Sequence, residues 1–130
     1  MKKVLTPIRI KRVYDPPDVS DGTRILVDRL WPRGLSKEKA ALSCWLKDIA
    51  PSPGLRAWFG HDPTRYDEFA DRYRAELAGN KAEVARLEDL AKQNPVTLLY
   101  AAHDEDHNHA LVLSEYLSHR TQPGHGKRPL

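Results

Sequence analysis

Ten consecutive residues, 25–34, decide how this chain folds, and they read Ile25-Leu26-Val27-Asp28-Arg29-Leu30-Trp31-Pro32-Arg33-Gly34. The stretch begins with three apolar residues that favour β-structure, which predicts a buried strand over 23–28. It then becomes polar and is stopped by a proline and a glycine, which predicts a loop directly after the strand. Two guanidiniums, a carboxylate and an indole crowd into six positions, as is typical of recognition sites. We therefore expect a buried strand that ends in a site.

The same residues also have a purely structural interpretation. Asp28 and Arg29 would then form an ion pair, and Trp31 would pack over the edge of the core. Pro32 and Gly34 would only shape the turn. Both interpretations follow from the residue types, so at this point they stand side by side.

Outward from this strand, apolar spacing and turn residues divide the chain into alternating strands and helices. We predict strands over 6–13, 23–28 and 96–101, with a fourth between Leu42 and Asp48, where strand and helix periods compete. We predict helices over 36–42, around 55–59, and over 62–79, 81–93 and 107–119. This alternation predicts an α/β fold: a single small domain with a mainly parallel sheet of about four strands flanked by helices. We assign this domain to residues 1–120 and a disordered basic tail to 121–130, which holds two prolines and two glycines.

The composition limits the class of protein. A chain of 130 residues is long enough for one domain with its own core. Cys44 is the single cysteine, which excludes an internal disulfide and favours a reducing compartment, and we interpret it as a small hydrophobic residue. We find no signal-peptide core and no run of about 18 apolar residues, so we expect a cytoplasmic protein without membrane association.

The net charge of +3 conceals an asymmetry along the chain. Residues 1–61 carry 12 Lys+Arg and 6 Asp+Glu, whereas residues 62–119 carry 6 and 12. The excess of +3 therefore lies in the last eleven residues, and the folded body is formally neutral. A nucleic-acid-binding domain is expected to be basic throughout, so the charge disfavours nucleic acid as a partner.

Parallel strands bring the loops at their carboxyl ends together, and α/β folds bind ligands at that edge. The loop after 23–28 and the start of the last helix both belong to this edge, so we predict a pocket there for a small anionic molecule. The candidate ligand-binding residues are Arg24, Arg29, Trp31, Arg33 and Asn108, and the candidate catalytic residues are Asp28 and His109.

Each candidate has a chemical role in this prediction. Arg29 and Arg33 carry planar guanidiniums that fit phosphate or carboxylate oxygens. Asp28 would orient a guanidinium, and Trp31 would cover the ligand. His109 is the candidate acid or base because imidazole transfers protons near neutral pH.

A second polar cluster, residues 103–109, precedes the last helix and holds three histidines and three acidic residues. Imidazoles and carboxylates suit zinc, iron or manganese, but the spacing matches no known ligand pattern. Acidic residues also suit the positive end of a helix dipole, and free N–H groups there bind anions. We predict neither a metal nor a cofactor, and no phosphate loop, dinucleotide glycine pattern or nucleophile elbow is present. Arg56 and His61 could reach the site from a third loop, but we interpret both as solvated residues of a helix face.

Several motifs together resemble one family. They are Lys11-Arg12-Val13-Tyr14-Asp15, Asp21-Gly22, Val27-Asp28-Arg29-Leu30-Trp31-Pro32-Arg33-Gly34, Ala50-Pro51-Ser52 with Leu55-Arg56, Tyr73 with Glu76-Leu77, and Leu98-Leu99-Tyr100 with Asn108-His109-Ala110. The chain resembles the YeaO-like branch of the domain-of-unknown-function 488 family over residues 8–118. The resemblance implies a small bacterial cytoplasmic α/β protein without an established activity.

Other branches of that family are similar to one another in two sequence elements. An Asp-x-Arg element follows one strand, and a Cys-His-Arg element follows the last strand. In this chain the second element is Asn108-His109-Ala110. The cysteine that thiol chemistry in those relatives would need is therefore replaced by asparagine. His103, Asp104 and His107 lie outside the family pattern, which argues further against a metal site.

Two other functions compete with the anion pocket. A nucleic-acid-associated or regulatory interaction module would use Arg9, Lys11 and Arg12 of the first strand together with the cationic tail, and its binding would weaken steeply with salt. Metal-assisted hydrolysis would need a bound metal at about one equivalent.

Overall fold

Four parallel strands form the centre of the structure, a computed structural model that describes residues 8–121. The strands are β1 (Ile8–Arg12), β2 (Thr23–Leu26), β3 (Cys44–Trp45) and β4 (Val96–Tyr100). Their spatial order is β1-β4-β2-β3, so the last strand of the chain lies between the first two. All three neighbouring pairs are parallel, which confirms the predicted α/β fold.

Five helices flank this sheet. They are α1 (Lys37–Ala40), α2 (Pro53–Phe59), α3 (Tyr66–Ala78), α4 (Lys81–Gln93) and α5 (His109–Thr121). Within residues 8–121 we find no helix with the length and apolar character needed to cross a membrane. The predicted tail falls on residues 122–130, outside the described residues, apart from Thr121 at the end of α5.

Two predicted boundaries are wrong in the middle of the chain. The strand expected between Leu42 and Asp48 is only two residues long, because the chain then enters a 3₁₀ turn. The helix expected to continue to Leu42 ends at Ala40, because Ala41 takes a left-handed conformation with φ of 48°.

The sheet buries a separate core on each face, because successive side chains of a strand point to opposite sides. Ile25 and Val27 belong to the larger core, which α2, α3, α4 and α5 cover. Leu26, between them, belongs to a smaller core that includes Ala40 of α1 and the half-buried Trp31. The residues that follow β2 therefore pack against the sheet through Trp31 and also reach the carboxyl edge of the sheet.

Candidate functional site

A cavity of about 630 Å³ opens at the carboxyl edge of the sheet. The chain reaches it after each strand: Tyr14 follows β1, Asp28 follows β2, Pro51 follows β3 and Ala101 follows β4. The first residue of α5, His109, lines the cavity as well. This is the edge at which parallel α/β sheets bind ligands, and its size is typical of small-molecule sites. The structure thus brings both segments of the predicted site to one concavity.

The carboxylate of Asp28 and the imidazole of His109 meet beside this cavity. Nε2 of His109 lies 3.0 Å from the carbonyl oxygen of Val27 and 3.2 Å from Oδ1 of Asp28. Both neighbours are acceptors, so Nε2 carries a hydrogen, which it donates to Val27. Nδ1 makes no hydrogen bond to a described residue and is the ring nitrogen left for a ligand.

Asp28 is itself held by the neighbouring strand. Its Oδ2 accepts the backbone N–H of Ala101 at 3.2 Å, and its carbonyl accepts Nε1–H of Trp45 at 2.7 Å. Oδ1 is buried and accepts no hydrogen bond of good geometry, since the Nε2–H of His109 points at Val27 instead. Asp28 and His109 therefore form one polar wall of the cavity, with Oδ1 of Asp28 3.2 Å from Nε2 of His109.

Asn108 caps the start of α5, and its side-chain amide bonds within the chain. Its Oδ1 accepts the backbone N–H of Leu111 at 2.9 Å, which caps the helix two residues later than predicted. Its Nδ2 donates to the carbonyls of Asp104 and Glu105, at 3.0 and 3.2 Å. Asn108 lines the cavity, but its buried amide is used within the chain, so its contribution is to fix where His109 stands.

Arg29 lines the cavity and ties two of its loops together. Its Nη2 donates to the carbonyl of Ala50 at 3.2 Å and its Nε to that of Pro51 at 3.5 Å, while Nη1 lies 3.8 Å from Asp48. The ion pair with Asp28 that the structural interpretation expected is replaced by these contacts. Much of the guanidinium is therefore engaged in holding the loop after β3.

Trp31 and Arg33 occupy the loop after β2 in different ways. Trp31 donates from Nε1 to the carbonyl of Leu35 at 2.7 Å, and its ring meets that of Trp45 edge-on at 5.4 Å. Arg33 is exposed at the cavity, and its carbonyl accepts the hydroxyl of Tyr14 at 2.8 Å. Its guanidinium has no hydrogen bond or ion pair to any residue between 8 and 121, so it is free to meet a ligand.

The prediction that Arg24 binds a ligand here is corrected, because Arg24 lies near the amino end of β2 and does not line the cavity. Its buried guanidinium lies 2.5 Å from the carboxylate of Asp21 and donates to the carbonyls of Ala40 and Ala41. Burial raises the pKa of Asp21, but hydrogen bonds from the Asp18 amide, Lys11 and Arg24 outweigh it and lower that pKa overall. Arg24 is therefore part of a buried ion pair on the other face of the sheet.

Most basic side chains of β1 also have interaction partners within the protein. Lys11 lies 3.1 Å from Asp21, and Arg12 donates to the carbonyl of Ala102 at 2.8 Å and stacks over Tyr14. The nucleic-acid alternative depended on this strand, and of its three basic residues two have partners within the protein.

The loop before α5 is built around Asp104. The N–H of Asp106 lowers the pKa of Asp104, and His107, with Nδ1 2.9 Å from Oδ2, adds to this effect. The ring of Tyr66 meets that of His107 edge-on at 5.2 Å. Among residues 8–121, no three His, Cys, Asp or Glu side chains are placed to hold a metal ion.

Several residues of the cavity were missed from the sequence. Arg56 and His61, interpreted as solvated, both line it, as do Tyr14 and Phe59. His61 has a φ of 58°, which is uncommon for a side chain other than glycine. The available signal was position, since Tyr14 directly follows β1 and the others lie in or after the helix that follows β3.

Burial keeps two further titratable groups in their neutral forms. Tyr73 is fully buried, which raises its pKa well above the ordinary value, and its hydroxyl donates to the carbonyl of Ile49 at 2.7 Å. Its ring meets that of His109 edge-on at 6.2 Å, so it packs behind the imidazole. Burial also raises the pKa of Cys44, which agrees with its interpretation as a small hydrophobic residue.

Comparison with known proteins gives a family but no activity. A family model described as the inactive DUF488-N3 subclade matches residues 7–129. The uncharacterized protein YeaO of Escherichia coli strain K12 is 53% identical over 110 residues, which cover 85% of this chain and 96% of the relative. The uncharacterized protein Rv3073c of Mycobacterium tuberculosis is 44% identical over 115 residues, 88% of this chain and 97% of the relative. No solved structure matches at a comparable level.

Proposed function

This chain belongs to the inactive DUF488-N3 subclade, and from that premise we propose that its cavity binds a small phosphate- or carboxylate-bearing molecule without converting it. A binding role without turnover suits a site that has asparagine, and no thiol, at the position before His109. A bacterial, cytoplasmic setting is part of the proposal, supported by the bacterial relatives and by a single cysteine.

The observation that carries this proposal is the charge of the cavity wall. Three arginines and four histidines line the cavity, against two aspartates. Both aspartates have an imidazole nitrogen close by, Asp28 from His109 and Asp104 from His107. With the histidines counted as neutral, the three arginines still outnumber the two aspartates, and a concave surface with a cationic surplus attracts anions.

Arg33 and Arg56 differ in their pairing from four arginines outside the cavity. Each of four arginines outside the cavity lies within 4 Å of an acidic residue three or four positions before it: Arg65, Arg72, Arg74 and Arg86. Arg33 and Arg56 have no such partner among the described residues, although both are exposed and line the same cavity. An oxyanion bound between them would receive charge-assisted hydrogen bonds that the protein itself leaves unmade.

Isothermal titration tests this proposal with inorganic phosphate, acetate and a nucleoside monophosphate as probes. We expect at least one probe to bind, and Arg33→Ala and Arg56→Ala each to weaken its affinity about tenfold, since a charged hydrogen bond contributes roughly 1.5–3 kcal/mol. Arg9→Ala is the matched control, because Arg9 is exposed near the amino ends of the strands, at the opposite edge of the sheet. Failure of every probe to bind, or equal affinity in all three variants, would overturn the proposal.

A further inference from the structure

We infer that the molecule bound here carries a flat apolar body next to its anionic group, so that an aromatic carboxylate or aryl phosphate fits better than a bare anion. This inference rests on the proposed function and names the class of ligand. The evidence lies in the volume of the cavity and in the part of its wall that the arginines do not occupy.

The volume is the first observation. A cavity of about 630 Å³ is within the range of roughly 300–1,000 Å³ that drug-sized molecules occupy. A water molecule takes about 30 Å³ of liquid, so an inorganic anion would leave most of this space to solvent. The volume therefore favours a ligand in which the anionic group is attached to a larger molecule.

The lining is the second observation. Trp31 and Tyr14 contribute aromatic rings from the loops after β2 and β1, and Phe59 and Phe69 contribute a stacked pair with centroids 4.3 Å apart. Aromatic faces bind flat apolar groups by stacking and by edge-to-face contact. The rings from the loops and those from the helices give such a body more than one surface to lie against.

The exposed apolar residues are the third observation. Among the described residues, the large hydrophobic side chains that remain exposed are Leu30 at 60%, Tyr14 at 39% and Val19 at 95%. Leu30 and Tyr14 both line this cavity, whereas Val19 lies on a separate 3₁₀ turn. A ligand that covers apolar surface at the mouth of a cavity removes it from water, which favours binding.

The charged and apolar parts of the wall are directly connected. The hydroxyl of Tyr14 donates to the carbonyl of Arg33, which joins an aromatic ring to the segment that carries the free guanidinium. Trp31 is two residues before Arg33 in the same loop. An anion held by Arg33 would therefore place whatever it is bonded to within reach of these rings.

Matched pairs of probes test the inference. Isothermal titration compares phenylacetate with acetate, and phenyl phosphate with inorganic phosphate, while quenching of tryptophan fluorescence that is lost in Trp31→Phe reports occupation of the cavity. We expect the aromatic member of each pair to bind at least tenfold more tightly. Leu30→Ser should reduce that ratio several-fold, and Val19→Ser, a change at an exposed apolar residue outside the cavity, should leave it unaltered.

The remaining outcomes separate the two claims. If both members of each pair bind equally well and Arg33→Ala still weakens binding, the claim that the ligand has an apolar body is wrong. The claim that the cavity binds an anion then stands. Tight binding of benzyl alcohol, a neutral probe, with no effect of Arg33→Ala would overturn the proposed function instead. If Leu30→Ser and Val19→Ser change the ratio equally, the apolar rim has no part in recognition and the inference fails.

Discussion

Nε2 of His109 lies 3.2 Å from Oδ1 of Asp28 and donates its hydrogen past that oxygen to the carbonyl of Val27. The first residue of α5 is thereby joined to the end of β2, two elements that are far apart in the chain and adjacent at the cavity. The contact sets which imidazole nitrogen faces a ligand, because the other is occupied by acceptors.

Asp28→Asn tests this contact. An asparagine could still accept the N–H of Ala101, but its amide hydrogens would then face the Nε2–H of His109, and two donors would oppose each other. We expect the free energy of unfolding in urea to fall by about 1–3 kcal/mol, and the ¹⁵N shifts of His109 to show its hydrogen moved to Nδ1. The control is Asp89→Asn, on the exposed side of α4. Unchanged ¹⁵N shifts would mean that Val27 alone sets the tautomer.

Arg24→Met should be one of the most damaging substitutions in the chain. It leaves the carboxylate of Asp21, only 4% exposed, without its buried partner, and breaking such a pair costs about 3–5 kcal/mol. Asp21→Asn together with Arg24→Met should recover part of the loss, because no buried carboxylate is then left without its guanidinium, and Lys11, the other partner of Asp21, is more exposed. Arg74→Met removes an exposed pair with Asp71 and should change stability by less than about 1 kcal/mol in the same urea experiment. Similar losses for Arg24→Met and Arg74→Met would contradict the burial argument.

Acid should destabilise the protein through Asp21. Its pKa is lowered in the folded state, so its contribution to stability is fully present above the ordinary aspartate pKa of about 3.9. That contribution is lost as the pH falls through the folded pKa, because protonation breaks the ion pairs with Arg24 and Lys11. Urea unfolding between pH 6 and pH 2 should therefore show a steeper fall for the wild type than for Asp21→Asn. Parallel curves would show that other carboxylates carry the acid sensitivity.

Gly22 and Gly54 should respond oppositely to alanine. Gly22 has a φ of 65°, and a Cβ there would lie 2.3 Å from the carbonyl oxygen of Pro95, so we expect Gly22→Ala to cost about 2–4 kcal/mol. Gly54 lies in α2 with open space around its Cβ position, and Gly54→Ala should stabilise by about 0.5–1 kcal/mol. Thermal unfolding of both variants measures the difference. Equal midpoints would show that the connection into β2 can shift away from Pro95.

Periodic segments could be predicted closely from the sequence, whereas contacts between segments could not. The helix predicted over 81–93 has those bounds as α4, because its apolar spacing and flanking Asn-Pro are local signals. The role of Arg24 was mistaken because its residue type suits a site, although it lies two residues, about 7 Å, before the carboxyl end of β2 and its guanidinium bonds with Asp21 instead. Arg29 lines the cavity, but its bonds to the carbonyls of Ala50 and Pro51 depend on a loop that follows another strand, which its own position in the sequence does not indicate.

The amino-acid sequence alone determined the order of strands and helices, the parallel sheet and the edge at which polar residues collect. These follow from apolar periodicity and from the rule that parallel strands end on the same side. Tertiary structure decided which of those polar groups remain available. Arg24 and Asn108 are satisfied within the chain, whereas Arg33, Arg56 and Nδ1 of His109 have no partner among the described residues. The reason is physical: a hydrogen-bonding group's freedom depends on which distant atoms packing brings within about 3 Å of it.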